Sequence, residues 1–72
     1  MKFKPLSVVI FEPKWAKNDL DLQGYPLKFG ESVLFLGNIP NVLGHCAVAK
    51  HCGEVIWLLH PEDFRKAKDS EL

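Results

Sequence analysis

The chain lacks an excess of charge of either sign. Its 72 residues carry nine basic and nine acidic side chains, so the formal net charge at pH 7 is zero. A neutral protein has no overall positive potential to attract phosphate backbones, which weighs against nucleic-acid binding. Zero net charge also weakens the repulsion that keeps copies of a protein apart in solution. We therefore expect the partner to be another protein or a second copy of the chain.

Long apolar runs and glycine-rich phosphate loops are also missing. No window approaches the roughly 18 apolar residues of a membrane span, and Glu12 and Pro13 end the apolar run at residues 6–11 too early for a signal peptide. Gly24 and Gly30 stand alone, without the Lys-Ser/Thr pair that follows the glycines of a phosphate loop. The sequence therefore predicts a cytoplasmic protein that does not contact a membrane.

Cysteine and histidine are scarce, and the two cysteines and three histidines all lie between positions 45 and 60. Zinc sites usually present their ligands as spaced pairs of the C-x₂₋₄-C type. Here His45-Cys46 and His51-Cys52 are adjacent pairs, and adjacent residues of a strand point to opposite faces. We expect three separated imidazoles, a buried Cys46, an exposed Cys52 at a turn, and neither a metal site nor a cofactor.

Short apolar segments predict strands rather than helices. The predicted strands are residues 6–11, 33–36, 46–50 and 54–59, which are rich in apolar residues and bounded by Gly, Pro and Asn. Residues 14–30 follow neither the strand nor the helix period, yet they contain Trp15 and Tyr25. Large aromatic side chains are unusual in a linker that is surrounded by water. We therefore expect a long ordered loop that folds back on the strands and is mobile or partner-facing over residues 14–26.

The last two predicted strands form a hairpin whose turn is residues 51–53. A three-residue turn ending in glycine suits this spacing, because glycine adopts the left-handed conformation that the turn needs. The resulting register places Lys50 opposite Glu54, Val48 opposite Ile56 and Cys46 opposite Leu58. Beyond the hairpin, proline and acidic residues followed by basic ones predict a short helix or 3₁₀ turn within residues 61–68, and residues 69–72 are expected to fray.

The predicted elements define a mainly β fold in one domain covering residues 1–72. Hydrophobic residues make up 47% of the chain, which is typical of a folded protein rather than a disordered one. The sequence predicts about four or five short antiparallel strands and a short C-terminal helical turn. A small, strongly bent barrel is the simplest arrangement in which both faces of such strands are covered. Such a barrel seldom encloses a substrate pocket of about 300 Å³, and no paired general acid and base is evident, so we expect no enzymatic activity.

Two segments resemble SH3-like small β-barrels. Residues 29–37, FGESVLFLG, resemble the turn and V-x-φ-x-G strand with which these barrels enter their second strand. Residues 46–64 resemble their closing hairpin with its 3₁₀ turn. The resemblance covers about half of the chain and implies the fold only. The paired tyrosines with which eukaryotic SH3 domains grip proline-rich peptides have no counterpart, so peptide recognition is not implied.

The surplus of apolar residues on both faces of the strands is the strongest indication of function. Too few residues remain to cover both faces, so we expect one face to be roofed by the long loop or to contact another chain. This predicts a non-catalytic protein-protein interaction module or accessory subunit. The predicted interaction patch consists of Trp57, Leu34, Leu59, Trp15 and Tyr25.

Nucleic-acid binding is the alternative hypothesis. Small barrels can stack single-stranded bases on aromatic side chains flanked by basic residues. Trp15 offers such a side chain near the first predicted strand. The alternative surface consists of Lys2, Lys4, Lys14 and Lys17.

Overall fold

Five antiparallel strands form a single sheet in the computed structural model, which describes residues 3–40 and 42–72. The mainly β, antiparallel prediction is confirmed. The other regular elements of the described ranges are 3₁₀ turns at Asp19–Leu22, Pro61–Asp63 and Asp69–Glu71. The strands are β1 (Val8–Phe11), β2 (Ser32–Asn38), β3 (Cys46–Ala49), β4 (Val55–Leu59) and β5 (Phe64–Lys66), and their order across the sheet is β4-β3-β2-β1-β5.

The sheet curls strongly, because its two edge strands follow each other in the chain. In a flat sheet, the four spacings from β4 to β5 would separate the edges by about 19 Å. The chain from Leu59 to Phe64 spans about 18 Å only when fully extended, and residues Pro61–Asp63 form a 3₁₀ turn that rises only about 2 Å per residue. Within the described residues β4 does not pair with β5. The sheet is therefore bent but open, and the predicted closed barrel is not formed.

The hydrophobic core lies on the inner face of this sheet. It includes the alternating residues Val9, Phe11, Val33 and Phe35 of β1 and β2. The long connection between these strands adds three buried residues to the core, which confirms that it folds back on the sheet. These three residues are Ala16, Leu22 and Leu27.

The C-terminal segment forms the 3₁₀ alternative of the predicted turn, but over a shorter range than expected. Only Pro61–Asp63 form a 3₁₀ turn, and the chain then continues as β5 with Phe64 opposite Phe11. The two rings lie with centroids 5.3 Å apart, so burial of Phe64 in the core favours an extended chain beside β1. Within residues 69–72, which were expected to fray, Asp69–Glu71 form a 3₁₀ turn whose Glu71 is ion-paired with Arg65 of the preceding strand.

The hairpin of β3 and β4 begins in the predicted register. The backbone N–H of Lys50 donates to the carbonyl oxygen of Glu54 at 2.8 Å. Val48 pairs with Ile56, and both side chains lie in the core. The prediction of the hairpin turn and of the register beside it is therefore confirmed.

A β-bulge changes the register further from the turn. Cys46 pairs with Leu59 instead of the predicted Leu58. Ala47 on β3 consequently lies opposite two residues of β4, Trp57 and Leu58. Leu58 has a φ of 63°, the left-handed conformation that glycine supplies in one class of β-bulge. The single extra residue reverses the direction of every later side chain of β4.

Candidate interaction surface

A row of apolar side chains crosses the outer face of four strands. Val8 of β1 pairs with Leu34 of β2, Leu34 with Ala49 of β3, and Ala49 with Val55 of β4. Because neighbouring residues of these strands supply the core, this row faces away from it. Val8, Leu34 and Ala49 are partly buried, whereas Val55 at the sheet edge is exposed. The outer face is therefore apolar from β1 to β4.

The bulge adds two large apolar side chains to this face at its β4 edge. Trp57 is 62% exposed and Leu58 is 59% exposed, whereas Leu59 is only 4% exposed. Without the extra residue, strict alternation would place Leu58 in the core and Leu59 outside. The bulge reverses these two positions. We use the name outer patch for Leu34, Val55, Trp57 and Leu58.

The outer patch contains only part of the predicted interaction patch. Trp57 and Leu34 lie on the outer face, as predicted. Leu59 lies in the core, so the prediction that it is a surface residue is wrong. Leu58 was missed, because a leucine gives no indication that it will occupy a left-handed position. A glycine there would have indicated a bulge.

Trp15 and Tyr25 form a separate aromatic pair on the long β1–β2 connection. Their ring centroids lie 5.8 Å apart in an edge-to-face arrangement. Tyr25 also stacks on Phe11 of the core at 5.3 Å, and burial raises its pKa above the ordinary value, with smaller contributions from nearby acidic groups. The two rings are therefore associated with the inner side of the fold, and the structure does not bring them to the outer patch.

Charged side chains occupy the opposite part of the outer face. Arg65 of β5 lies opposite Ile10 of β1, which is buried. Its guanidinium donates two hydrogen bonds to Glu71 at 2.7 and 2.6 Å, and its Nε lies 2.9 Å from Glu12. The hydrogen bonds from Arg65 lower the pKa of Glu71 to about 2. This ion-pair network bounds the apolar surface on the β5 side.

The structure brings His45 and His60 together, so the prediction of three separated imidazoles is wrong. The ring centroids of these two residues lie 4.6 Å apart. Beyond the Cys46–Leu59 pair, the shifted register places His45 opposite His60. His45 Nδ1 also lies 3.1 Å from the carbonyl oxygen of Leu43. Across the two described ranges, no cluster of three or more His, Cys, Asp or Glu side chains could hold a metal ion.

An open cleft of about 410 Å³ lies beside these histidines. It is lined by residues 38–40 and 42–44 of the β2–β3 connection, together with Pro61 and Glu62. Asn41, which also belongs to the β2–β3 connection, lies outside the described residues. Among the lining residues of the described chain, Glu62 alone carries an ionisable side chain.

Both cysteines are free thiols, and each has the exposure predicted for it. Cys46 is buried, and burial raises its pKa to about 11, so it stays protonated at neutral pH. Cys52 is exposed at the hairpin turn. The prediction of one buried and one exposed thiol is confirmed.

The residues of the alternative nucleic-acid surface are only partly described. Lys2 lies outside the described residues. Lys4, Lys14 and Lys17 are exposed, and Trp15 is 56% exposed between the latter two in sequence. The first 3₁₀ turn, Asp19–Leu22, adds two exposed carboxylates next to them in the chain, which reduces the local positive charge.

Comparison of the chain with family models, curated proteins and solved structures found no match. In the part of the chain that the structure describes, no helix has the length and apolar character needed to span a bilayer.

Proposed function

We propose that the protein is a non-catalytic interaction module or accessory subunit that binds a protein partner through the outer patch. The observation that carries the proposal is the exposure of Trp57 and Leu58 beside an apolar row that extends over four strands. Tryptophan is enriched in the buried centres of protein interfaces and is prominent among residues whose truncation weakens binding. The proposal places Trp57 at the centre of the interface.

Burial of Trp57 against a partner would contribute a large free energy for a single residue. A buried tryptophan removes about 150–250 Å² from water, at about 25 cal/mol per Å². With 62% of its surface exposed, Trp57 offers a partner about 2–4 kcal/mol before the entropic cost of association. The adjacent Leu58 enlarges the same apolar contact.

The fold that we propose for this module is an SH3-like barrel opened along one edge. Three features support this proposal: the strand order β4-β3-β2-β1-β5, the long connection after β1, and the 3₁₀ turn directly before β5. We also propose that the protein acts in the cytoplasm. Two free cysteines are typical of a reducing compartment, and they support this location.

The experiment that tests the function compares proteins captured from the native host by three immobilised chains. These are the natural chain, Trp57→Lys, and the control Leu20→Lys. Leu20 is an exposed leucine of the first 3₁₀ turn and does not belong to the outer patch. We expect a partner that is retained by the natural chain and the control and is lost with Trp57→Lys. Capture of the same proteins by all three chains, each with an unchanged circular dichroism spectrum, would contradict the proposal.

Single-stranded nucleic-acid binding is the second candidate, supported by the exposure of Trp15 between Lys14 and Lys17. Binding of a labelled oligonucleotide that weakens with salt and with Trp15→Ala would favour it. The matched control is Trp57→Ala, which removes an aromatic ring from the outer patch. We expect no salt-dependent binding at physiological ionic strength, because the net charge of the chain is zero.

A further inference from the structure

The two edges of the sheet differ in their protection against pairing with another strand. β5 has three residues, and its central Arg65 is held by Glu12 and Glu71. β4 has five residues, VIWLL, without a charge or a proline. Short strands, charges, prolines and β-bulges are devices by which proteins protect an edge strand from pairing. Among them, β4 has only its bulge, which lies at the far end from the hairpin turn.

The ladder shows which backbone groups of β4 face the open edge. In an antiparallel pair, hydrogen-bonded residues alternate with residues that point away from the partner. The bond from Lys50 N–H to Glu54 O fixes this alternation, so Glu54 and Ile56 face β3. Val55 and Trp57 therefore direct their N–H and C=O groups outward along the edge. Their side chains lie on the exposed outer face at the same two positions.

We propose that β4 pairs with β4 of a second copy of the chain, antiparallel about a twofold axis at Ile56. This inference rests on the proposed function, since it names the partner and the binding mode of the same surface. In this register Val55 lies opposite Trp57 of the second copy, and the outward groups of both residues form four backbone hydrogen bonds. The apolar row of the outer face then continues from one sheet into the other.

The charges of the edge fit a second copy. Within residues 52–60, Glu54 is the only residue with a formal charge at pH 7, and this register places it opposite Leu58 of the second copy. No like charges therefore face each other across the axis, where they would destabilise cross-strand pairing. Because the net charge of the chain is zero, two copies do not repel each other electrostatically at long range.

The area available predicts a weak dimer. From their exposed fractions, Val55, Trp57 and Leu58 present about 350 Å² of apolar side-chain surface per copy. Stable interfaces bury roughly 800 Å² per partner, and smaller contacts belong to transient complexes. We therefore expect monomers at about 10 μM and a rising fraction of dimers towards about 1 mM.

Sedimentation equilibrium over this concentration range tests the pairing with two matched proline variants. Val55→Pro removes an N–H that faces the open edge and spares the β3–β4 ladder. Lys66→Pro is the control on β5, because the bond from Ala67 N–H to Val8 O implies that Lys66 N–H also faces outward. We expect the natural chain and Lys66→Pro to dimerise and Val55→Pro to remain monomeric. A natural chain that is monomeric up to 1 mM, or a dimer that Val55→Pro leaves intact, overturns the inference.

Amide hydrogen exchange on the natural chain gives a second measurement if Val55→Pro fails to fold. Protection of the Val55 and Trp57 amides should rise about two- to fivefold between about 10 μM and 1 mM as the monomer fraction falls, while that of Lys66 stays constant. Constant protection at Val55 and Trp57 overturns the pairing. Failure of the twofold pairing is distinguishable from failure of the proposed function, because capture of a different protein that requires Trp57 would then persist.

Discussion

Cys46 of β3 lies opposite Leu59 of β4, and this pair places both side chains in the core. The pairing requires one extra residue between Ile56 and Leu59. Leu58 provides it by adopting a φ of 63°. The same extra residue leaves two consecutive large apolar side chains exposed at the sheet edge. The exposure of the outer patch is thus a direct consequence of the bulge.

Leu58→Gly should stabilise the isolated monomer. A left-handed conformation costs a residue with a Cβ about 1–2 kcal/mol, and glycine avoids that cost at the expense of about 0.5–1 kcal/mol of backbone entropy. We expect the free energy of unfolding, measured with urea at low protein concentration, to rise by about 0.5 kcal/mol. Val55→Gly in the regular part of β4 is the control and should lower it by about 1 kcal/mol. Equal destabilisation by both variants would contradict the left-handed geometry.

Truncating an aromatic residue should destabilise the fold far more in the core than in the outer patch. Phe35 is fully buried, so Phe35→Ala should cost about 3–5 kcal/mol, which approaches the whole stability of a small domain. Trp57→Ala should cost less than about 1 kcal/mol, because most of its side chain is exposed. Thermal unfolding followed by circular dichroism measures both. If Trp57→Ala lowered the free energy of unfolding by more than about 2 kcal/mol, the prediction would be wrong and the ring would have a structural role.

The two thiols should differ strongly in reactivity. The pKa of Cys46, raised by burial to about 11, keeps it as a protonated thiol at pH 7, and the core shields it from reagents. Cys52 is exposed at the turn. A thiol reagent should modify one group per folded chain and a second only in urea. Cys52→Ser is the control, in which the fast reaction should disappear. Rapid modification of both thiols in the folded chain would contradict the burial of Cys46.

Glu71→Gln should lower stability in a pH-dependent manner. The pKa of Glu71 is about 2 in the folded chain, below its ordinary value of 4.5, because Arg65 donates hydrogen bonds to the carboxylate. Its stabilising contribution is therefore complete above about pH 4.5 and is lost as the pH falls through 2. The difference in unfolding free energy between the natural chain and the variant should shrink over this interval. In an Arg65→Gln background, Glu71→Gln should have little effect. A difference that is independent of pH would contradict the ion pair.

The hairpin shows what could be predicted from this sequence and what could not. A glycine-ended turn between two apolar runs predicted the register at Lys50 and Val48. The bulge could not be predicted, since it occurs at Leu58 and not at a glycine. Without the bulge, neither the burial of Leu59 nor the contact of His45 with His60 could be foreseen. Both depend on a shift of one residue in the pairing.

Long-range contacts explain the other differences. Pro61 and the acidic residues after it predicted a helical turn, and local preference does form one over Pro61–Asp63. Phe64 then leaves that conformation to pack against Phe11, a residue distant in sequence. The aperiodic β1–β2 connection was expected to cover the strands. Its pattern did not show which residues, such as Leu22 and Leu27, would enter the core.

The connection of only a few residues between β3 and β4 also sets an order for folding. Pairing Val48 with Ile56 closes a short loop, whereas pairing Val9 with Lys66 closes most of the chain and costs more entropy. We expect the hairpin to be structured in the transition state and β5 to join last, which φ-values for Val48 above those for Phe64 would verify. We therefore expect the β4 edge, which carries Trp57, to form before the rest of the sheet. A newly made chain would then expose the edge that we propose for pairing before its folding is complete.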